Sequence, residues 1–330
     1  MEPLPKVELH VHLDCCLSYD VVSLLRPSIS YSEFRERFVA PPRCTNLADF
    51  LTRAPSGIAL MQTEHELRAV TLDLFRQFQL DNILYAEIRF APLLHLERGL
   101  LPARVVRTVN DAVEEGIRST GIEARIILCT LRHFTAAQSL ETVALAERFR
   151  GTRVVALDLA ADEAGFPIDP HVEAFEFAIT QEIHRTAHAG EARGADSVRE
   201  TLRNFQPTRI GHGVRSVEDP TLLNQLRDQR IHLEVCPSSN IQTNVYSSIS
   251  DHPVHRLYKA GVSLSINTDA RTITDTTLEK EYSVMREHFG WSDEEFRSSN
   301  TDAIHAAFIP EALKQSLLKR LNGHYPTARP

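Results

Sequence analysis

A chain of 330 residues, 42% hydrophobic and 24% charged, has ample material for a folded core and falls within the range of one α/β barrel or two ordinary domains. A formal charge of −8 argues against a nucleic-acid backbone as partner, since that needs a basic face, but admits a small nucleoside. With no apolar h-region after MEPLPKVELH, no stretch near the roughly 18 apolar residues of a membrane span, and five cysteines without paired spacing, a cytoplasmic protein with no membrane partner is expected.

Residues 6–14, KVELHVHLD, alternate Val7, Leu9, Val11 and Leu13 with a polar set that includes His10, His12 and Asp14. Side chains two apart on a strand share a face, so His10 and His12 form half of a metal site, and Asp14 continues the same face. Residues 18–25 begin a short helix, and residues 26–60 read as irregular, broken by Pro27, Pro41, Pro42 and Pro55. Within them Leu47, Phe50 and Leu51 recur at helical spacing behind Asn46, a capping residue. They form either a packing helix or an apolar lid over a pocket mouth.

From residue 63 the pattern becomes regular. Helices are predicted over 63–80, 102–120, 136–149, 170–181, 196–204, 220–229 and 253–260. Strands are predicted over 83–92, 122–131, 154–162, 184–191, 209–213, 231–237 and 262–269, eight with the first. Strand–helix alternation means a parallel sheet, and eight units imply an α/β fold of the (β/α)8 TIM type, with extra helices inserted after strand 1. No GxGxxG follows any strand, which counts against an open dinucleotide-binding sheet. After Thr276 the chain is helical and charged, ending in a polar tail with Pro326 and Pro330. No composition shift marks a boundary, so residues 1–330 are expected to form a single domain.

In such a barrel the chemistry collects at the C-terminal strand ends. There the sequence places His10, His12 and Asp14, then His188 and Glu191, then His212 between Gly211 and Gly213, and finally Asp269. Polar groups so close to a core are costly unless paired or metal-bound. Three neutral imidazoles and one carboxylate, from His10, His12, His188 and Asp269, suit one Zn²⁺ per chain with a position left for water. Other divalent ions also fit histidine-rich sites. Cys15 and Cys16 lie beside the first strand but lack CxxC spacing, which disfavours them as ligands. Zinc lowers the pKa of coordinated water to about 7, and His212 is placed to orient or deprotonate it. Glu191, three residues past His188, faces the substrate as a proton donor. The set describes hydrolytic attack on an sp² carbon.

The segments KVELHVHLD, LDLAADE, HRTAHAGE, RIGHG, HLEVCPSSN and SINTDA run in order from residue 6 to about residue 282. Together they resemble the adenosine deaminase family of the amidohydrolase superfamily. The resemblance implies a barrel with one zinc that converts a 6-aminopurine to the 6-oxo compound and releases ammonia. Its partner is then a small-molecule aminopurine or nucleoside, most simply adenosine or 2′-deoxyadenosine. By the resemblance His10, His12, His188 and Asp269 match the zinc ligands, and Asp269 joins Glu191 and His212 in the catalytic set. Glu191 matches the group that protonates purine N1, and His212 the one beside the attacking hydroxide. Asp14 matches the acid that binds the ribose 5′-hydroxyl, the backbone at Ala161 meets purine N3, and Leu47, Phe50 and Leu51 form an apolar gate.

Three departures bear on substrate choice. The family keeps Asp or Asn directly after the metal-binding Asp to bind purine N7; here that residue is Ala270, with Arg271 the nearest polar substitute. Ala161 and Cys15 stand where glycines are usual and reshape the pocket. Losing a buried hydrogen bond broadens recognition, so adenine, a modified adenosine or a pterin is the alternative substrate. An amide- or ester-cleaving two-metal enzyme would offer a Lys on a mid-barrel strand, and strand four has none. A barrel kept only for binding would have lost a ligand or Glu191, and all are present. The sequence carries no signal for an oligomeric state.

Overall fold

Residues 4–324 are described by the computed structural model, so the tail with Pro326 and Pro330 lies outside the described residues. Among the described residues, runs of Val, Ile, Leu and Ala make nine strands, all paired in parallel. One sheet has the order β1 (Lys6–His12), β2 (Ile83–Phe90), β3 (Glu123–Leu131), β4 (Val154–Ala160), β5 (His184–Arg185). The other runs β6 (His188–Ala189), β7 (Arg209–His212), β8 (His232–Val235), β9 (Leu264–Ile266).

The sheets meet at two seams. A parallel bridge joins Val11 to Asp269, with His12 N donating to Asp269 O and Asp269 N to His10 O, both at 2.9 Å. At the other seam Thr186 N donates to Leu157 O at 3.0 Å. The continuous strand expected over 184–191 is thus two short pieces of one strand position. β5 pairs back to β4, and after Thr186 and Ala187 the chain turns its hydrogen bonds forward to β7. Asp14 likewise falls past the end of β1, in a 3-10 turn over Leu13–Cys15.

Helices follow the strands as alternation demands. The insertion after β1 holds α1 (Tyr19–Leu25), α2 (Tyr31–Phe38), α3 (Leu47–Leu51) and α4 (Ala54–Ile58) ahead of α5 (Glu64–Leu80). The expectation of an irregular 26–60 is corrected here. Pro27, Pro41 and Pro42 fall between helices, and Pro55 sits in the first turn of α4, where an N–H has no partner to lose. Ser30 and Asn46 accept from Glu33 N and Asp49 N and so start α2 and α3. Then come α6 (Pro102–Thr120), α7 (Ala136–Arg148), α8 (Val172–Thr180), α9 (Ala195–Phe205) and α10 (Pro220–Asp228). After β8 lie α11 (Pro237–Gln242) and α12 (Val254–Lys259); after β9, α13 (Arg271–Thr274), α14 (Leu278–Phe289), α15 (Asp293–Ala306) and α16 (Glu311–His324).

Val7 and Leu9 of β1 belong to a buried cluster with Ile304 of α15 and Leu317 of α16. The lumen is ionic. Asp158 pairs with Arg89 at 3.0 Å, Arg89 with Glu234 at 2.6 Å, Glu234 with Arg209 at 2.7 Å, and Arg209 with Glu87 at 2.6 Å, all buried. Phe308 closes this chain from below, its N donating to Glu87 Oε1 at 2.7 Å and its ring stacking 3.9 Å from the Arg209 guanidinium. Buried ion pairs are a weak source of net stability. These fix the carboxylates that lie under the strand tips.

Candidate metal centre and active site

Four ligating atoms, from His10, His12, His188 and Asp269, all lie within 4.8 Å of one another. They come from the ends of β1, β6 and β9, elements remote in sequence and brought together by the two seams. His12 Nε2 and His188 Nε2 are 3.2 Å apart. Asp269 Oδ1 stands 3.4 Å from His10 Nε2 and from His12 Nε2.

The tautomers are set from behind. His10 Nδ1 donates to Glu234 Oε2 at 2.9 Å, and His188 Nδ1 to Leu159 O at 3.1 Å with Asp158 Oδ1 at 3.3 Å. Both rings therefore turn the Nε2 lone pair toward Asp269. His10 Nε2 is buried with no hydrogen-bond partner, facing a carboxylate oxygen. A lone pair set against an anion is repulsive unless a cation lies between them, so the donor set fits a metal ion with N and O preferences. Burial pushes the Asp269 carboxyl up, but the close approach of the His10 ring and of the neighbouring imidazoles outweighs it and holds it well below the usual range. Burial likewise drives His12 well below its usual value, leaving a neutral ligand.

Gly211 makes the convergence possible. A Cβ there would come within 3.0 Å of the His10 ring and 3.3 Å of His188. Three non-glycine residues at strand tips, Ala161, His212 and Asp269, hold left-handed φ of 77°, 61° and 63°. Such backbone costs of order 1 kcal/mol or more per residue and gathers at functional sites. Here it turns the Asp269 and His212 side chains into the mouth. Ser239 Oγ then donates to Asp269 Oδ2 at 2.7 Å.

His212 and Glu191 face each other beside the ligands, Nε2 to Oε2 at 3.5 Å, both buried. Asn240 Nδ2 donates to His212 Nδ1 at 3.1 Å. Burial and the His10 ring keep His212 neutral, so its proton lies on Nε2 and points into the site. Glu191 has the opposite electrostatics. Burial first, then the charges of Asp269 and Glu163, push its carboxyl well above the ordinary value, so it is an acid with a proton to give. Its position is fixed by Glu163, which accepts from Gly190 N at 2.7 Å, Glu191 N at 3.0 Å and Arg193 N at 2.9 Å.

Two cavities open from this centre and share Asp162. One, about 290 Å³, begins at His12 and runs past Asp14, Cys15 and Ala161 to Leu51 of α3 and Ile58 of α4. The other, about 390 Å³, begins at Glu191 and passes Leu47, Asn46 and Thr243. Asp14 is buried, accepts Ala91 N–H at 3.3 Å, and has its carboxyl pushed up to about 6 by burial. Leu47 and Phe50 pack with Ile273 and Ala270, while Leu51 lines the first cavity, so α3 is both packing helix and wall.

Arg271 does not compensate for Ala270. Its guanidinium is buried away from the site on Glu8 at 2.6 Å and Asp81 at 2.7 Å, leaving the wall beside Asp269 apolar. Cys15 and Cys16 stay outside the ligand group; the Cys16 Sγ accepts from Arg271 N at 3.3 Å, and burial raises both thiols. Glu234, Asp158, Glu163, Asn240 and Ser239 are the site residues that sequence reasoning did not assign.

Residues 5–324 match the family model described as adenosine deaminase. The chain belongs to the adenosine deaminase family. Its relative from Clostridium acetobutylicum, an adenosine deaminase, is 33% identical over 326 residues covering 97% of each chain. Arabidopsis ADAL, solved in complex with IMP, superposes with a TM-score of 0.85 at 26% identity, covering 97% of this chain and 96% of that one. The adenine deaminase from Arthrobacter aurescens gives a TM-score of 0.89 at 24% identity over 97% and 98% of the two chains, a likeness that concerns the fold. As a member of this family the protein is a hydrolase acting on carbon–nitrogen bonds, on an α/β barrel of the TIM type.

Proposed function

We propose that the chain is a zinc-dependent deaminase of a 6-aminopurine nucleoside, most simply adenosine or 2′-deoxyadenosine, acting in the cytoplasm as one domain. The observation that carries this reading is the pairing of two opposed buried side chains, Glu191 and His212, 3.5 Å apart beside a ligand cluster. A carboxylic acid kept protonated near neutral pH serves to donate to a ring nitrogen.

His10, His12, His188 and Asp269 would hold the ion. Bound there, zinc supplies a Lewis acid that makes water a nucleophile at neutral pH. Glu191 gives its proton to the ring nitrogen next to the amino-bearing carbon, which draws electron density from that carbon. His212 donates from Nε2 to the attacking water and orients it, with Asn240 fixing the tautomer. Asp269, braced by Ser239, accepts the water's proton in turn. After attack at the carbon, the proton taken by Asp269 passes to the amino group, which leaves as ammonia, and the hydroxyl proton returns to the Glu191 carboxylate, leaving the oxo product.

The ring lies between Glu191 and the ligand cluster, with the Ala161 backbone and Asp14 on its sugar side. Ala270 offers no hydrogen bond to the ring's far edge, which favours a tolerant site over a strict one and keeps adenine or another amino-heterocycle as the second reading. Ammonia release from zinc-loaded protein tests both, with adenosine, 2′-deoxyadenosine, adenine and a pterin as substrates. Glu191→Gln, which cannot give up a proton, should lower kcat by at least about 10²-fold while leaving the metal content unchanged. Full turnover by that variant would remove Glu191 from the reaction.

A further inference from the structure

The cavity that starts at His12 is unlike the one that starts at Glu191. Beyond the metal ligand its walls are the side chains of Leu51, Ala54, Pro55, Ile58, Leu94 and Leu131. Two of its polar groups are already engaged. Asp14 Oδ2 takes the Ala91 N–H, and Cys129 Sγ donates to Asp158 Oδ2 at 3.5 Å. The charges that remain are of one sign: Asp14 and Asp162 line the space, and among the described residues no Lys or Arg does. Arg132, next in the chain to the lining Leu131, sends its guanidinium to Phe166 O at 3.2 Å and His188 O at 2.9 Å. His133 lies at the cavity mouth, exposed, with its pKa lowered by burial, so it carries no standing charge there.

A phosphate placed here would meet two carboxylates, no cation and a hydrocarbon wall. An alkyl or aryl group would find its surface covered. We propose that this cavity selects 6-aminopurine nucleosides bearing an apolar, uncharged substituent on the sugar side, such as a 5′-alkylthio group in place of the 5′-hydroxyl, and rejects nucleoside 5′-monophosphates. The proposal rests on the deaminase reading above and deepens it by naming the substrate class. It sets this protein apart from its structural neighbour solved with IMP, a 5′-monophosphate.

The test is a series of kcat/KM values from ammonia release, using adenosine, 5′-deoxyadenosine, the 5′-methylthio, ethylthio and butylthio analogues, and AMP. Values should rise along the alkylthio series by about three- to fourfold per buried methylene. AMP should fall at least about 100-fold below adenosine, because like charges are brought together out of water. Equal or better turnover of AMP, or alkylthio analogues slower than adenosine, overturns the assignment of the cavity while leaving the deaminase reading intact. Absence of ammonia from every nucleoside, with release from a free base or a pterin, overturns both.

Two variants separate the cavity from general damage. Leu131→Arg, adding a cation to the wall, should narrow the gap between adenosine and AMP. Ile58→Asn, at the half-buried end contributed by α4, should flatten the dependence on alkyl length. If Ile58→Asn keeps the same slope per methylene, the side-chain wall does not read the substituent and the proposal fails.

Discussion

Glu234 binds His10 Nδ1, Arg89 and Arg209 at once, at 2.9, 2.6 and 2.7 Å. Burial alone would raise its carboxyl, but the two guanidiniums outweigh that and hold it well below the usual range, so it is an anion. An anion behind an imidazole fixes the ring's orientation and makes the opposite nitrogen a better ligand. Glu234→Gln keeps the shape and removes the charge. Its metal affinity, measured by competition with a chromogenic chelator, should fall by about 10–100-fold, and the apo protein should melt lower because Arg89 and Arg209 lose their shared partner. Unchanged affinity would reduce Glu234 to packing. The candidate ligand set was legible in the sequence because histidines and an acid at strand tips, next to a core, are costly unless they bind something. Glu234 and Asp158 were not. An acid inside a short apolar strand reads as an outward-facing residue until the strand order shows that its face is the lumen.

Helix α11 carries Ser239 and Asn240, the partners of Asp269 and His212, so its placement sets the geometry of both proposed catalytic side chains. Its start is held by Glu281 of α14, which accepts from Ser238 N at 3.1 Å and from Thr276 Oγ1 at 2.7 Å. Burial raises the Glu281 carboxyl from its ordinary 4.5 to about 7. Below about 4.5 it is protonated whether folded or not, and no stability is lost. Between there and about 7 the unfolded chain releases its proton while the folded one keeps it, so stability declines with rising pH, and above 7 the loss is complete. The size is at most about 3 kcal/mol. Glu281→Gln can serve both partners without ionising. Thermal melts should place it near the wild type at pH about 5 and above it at pH about 8, and a difference independent of pH would refute the linkage.

Element identity was readable wherever hydrophobic period and caps agreed, as in α5, α6 and α7. It failed in two kinds of place. Short helices among the prolines, α2 and α4, carry too little periodic pattern to read and depend on tertiary packing to form, whereas α3 was legible from its spacing behind Asn46. The break between β5 and β6 leaves no local mark, since HRTAHAGE keeps the same residue types while its pairing partner changes.

At the scale of the whole molecule, the metal cluster and the C-terminal helices lie at opposite ends of one lumen. A single chain of contacts joins them: His10 to Glu234, Glu234 to Arg209, Arg209 to Glu87, and Glu87 to the backbone N of Phe308. Val7 N adds a second tie, donating to Asn300 Oδ1 of α15 at 2.8 Å. Helices so anchored to β1 and β2 cannot unfold without exposing the charges under the site, and the site cannot loosen without releasing the anion that holds Arg209. The domain proposed for the full chain should therefore melt as one unit. An ion that binds only the folded state adds stability as RT ln(1 + [L]/Kd), about 4 kcal/mol at a concentration about 1,000-fold above Kd. In a calorimeter, adding zinc to chelator-treated protein should move one transition upward as a whole by several degrees. Two resolved transitions, only one of them responding to zinc, would show that the C-terminal helices fold apart from the barrel and that the lumen chain does not couple them.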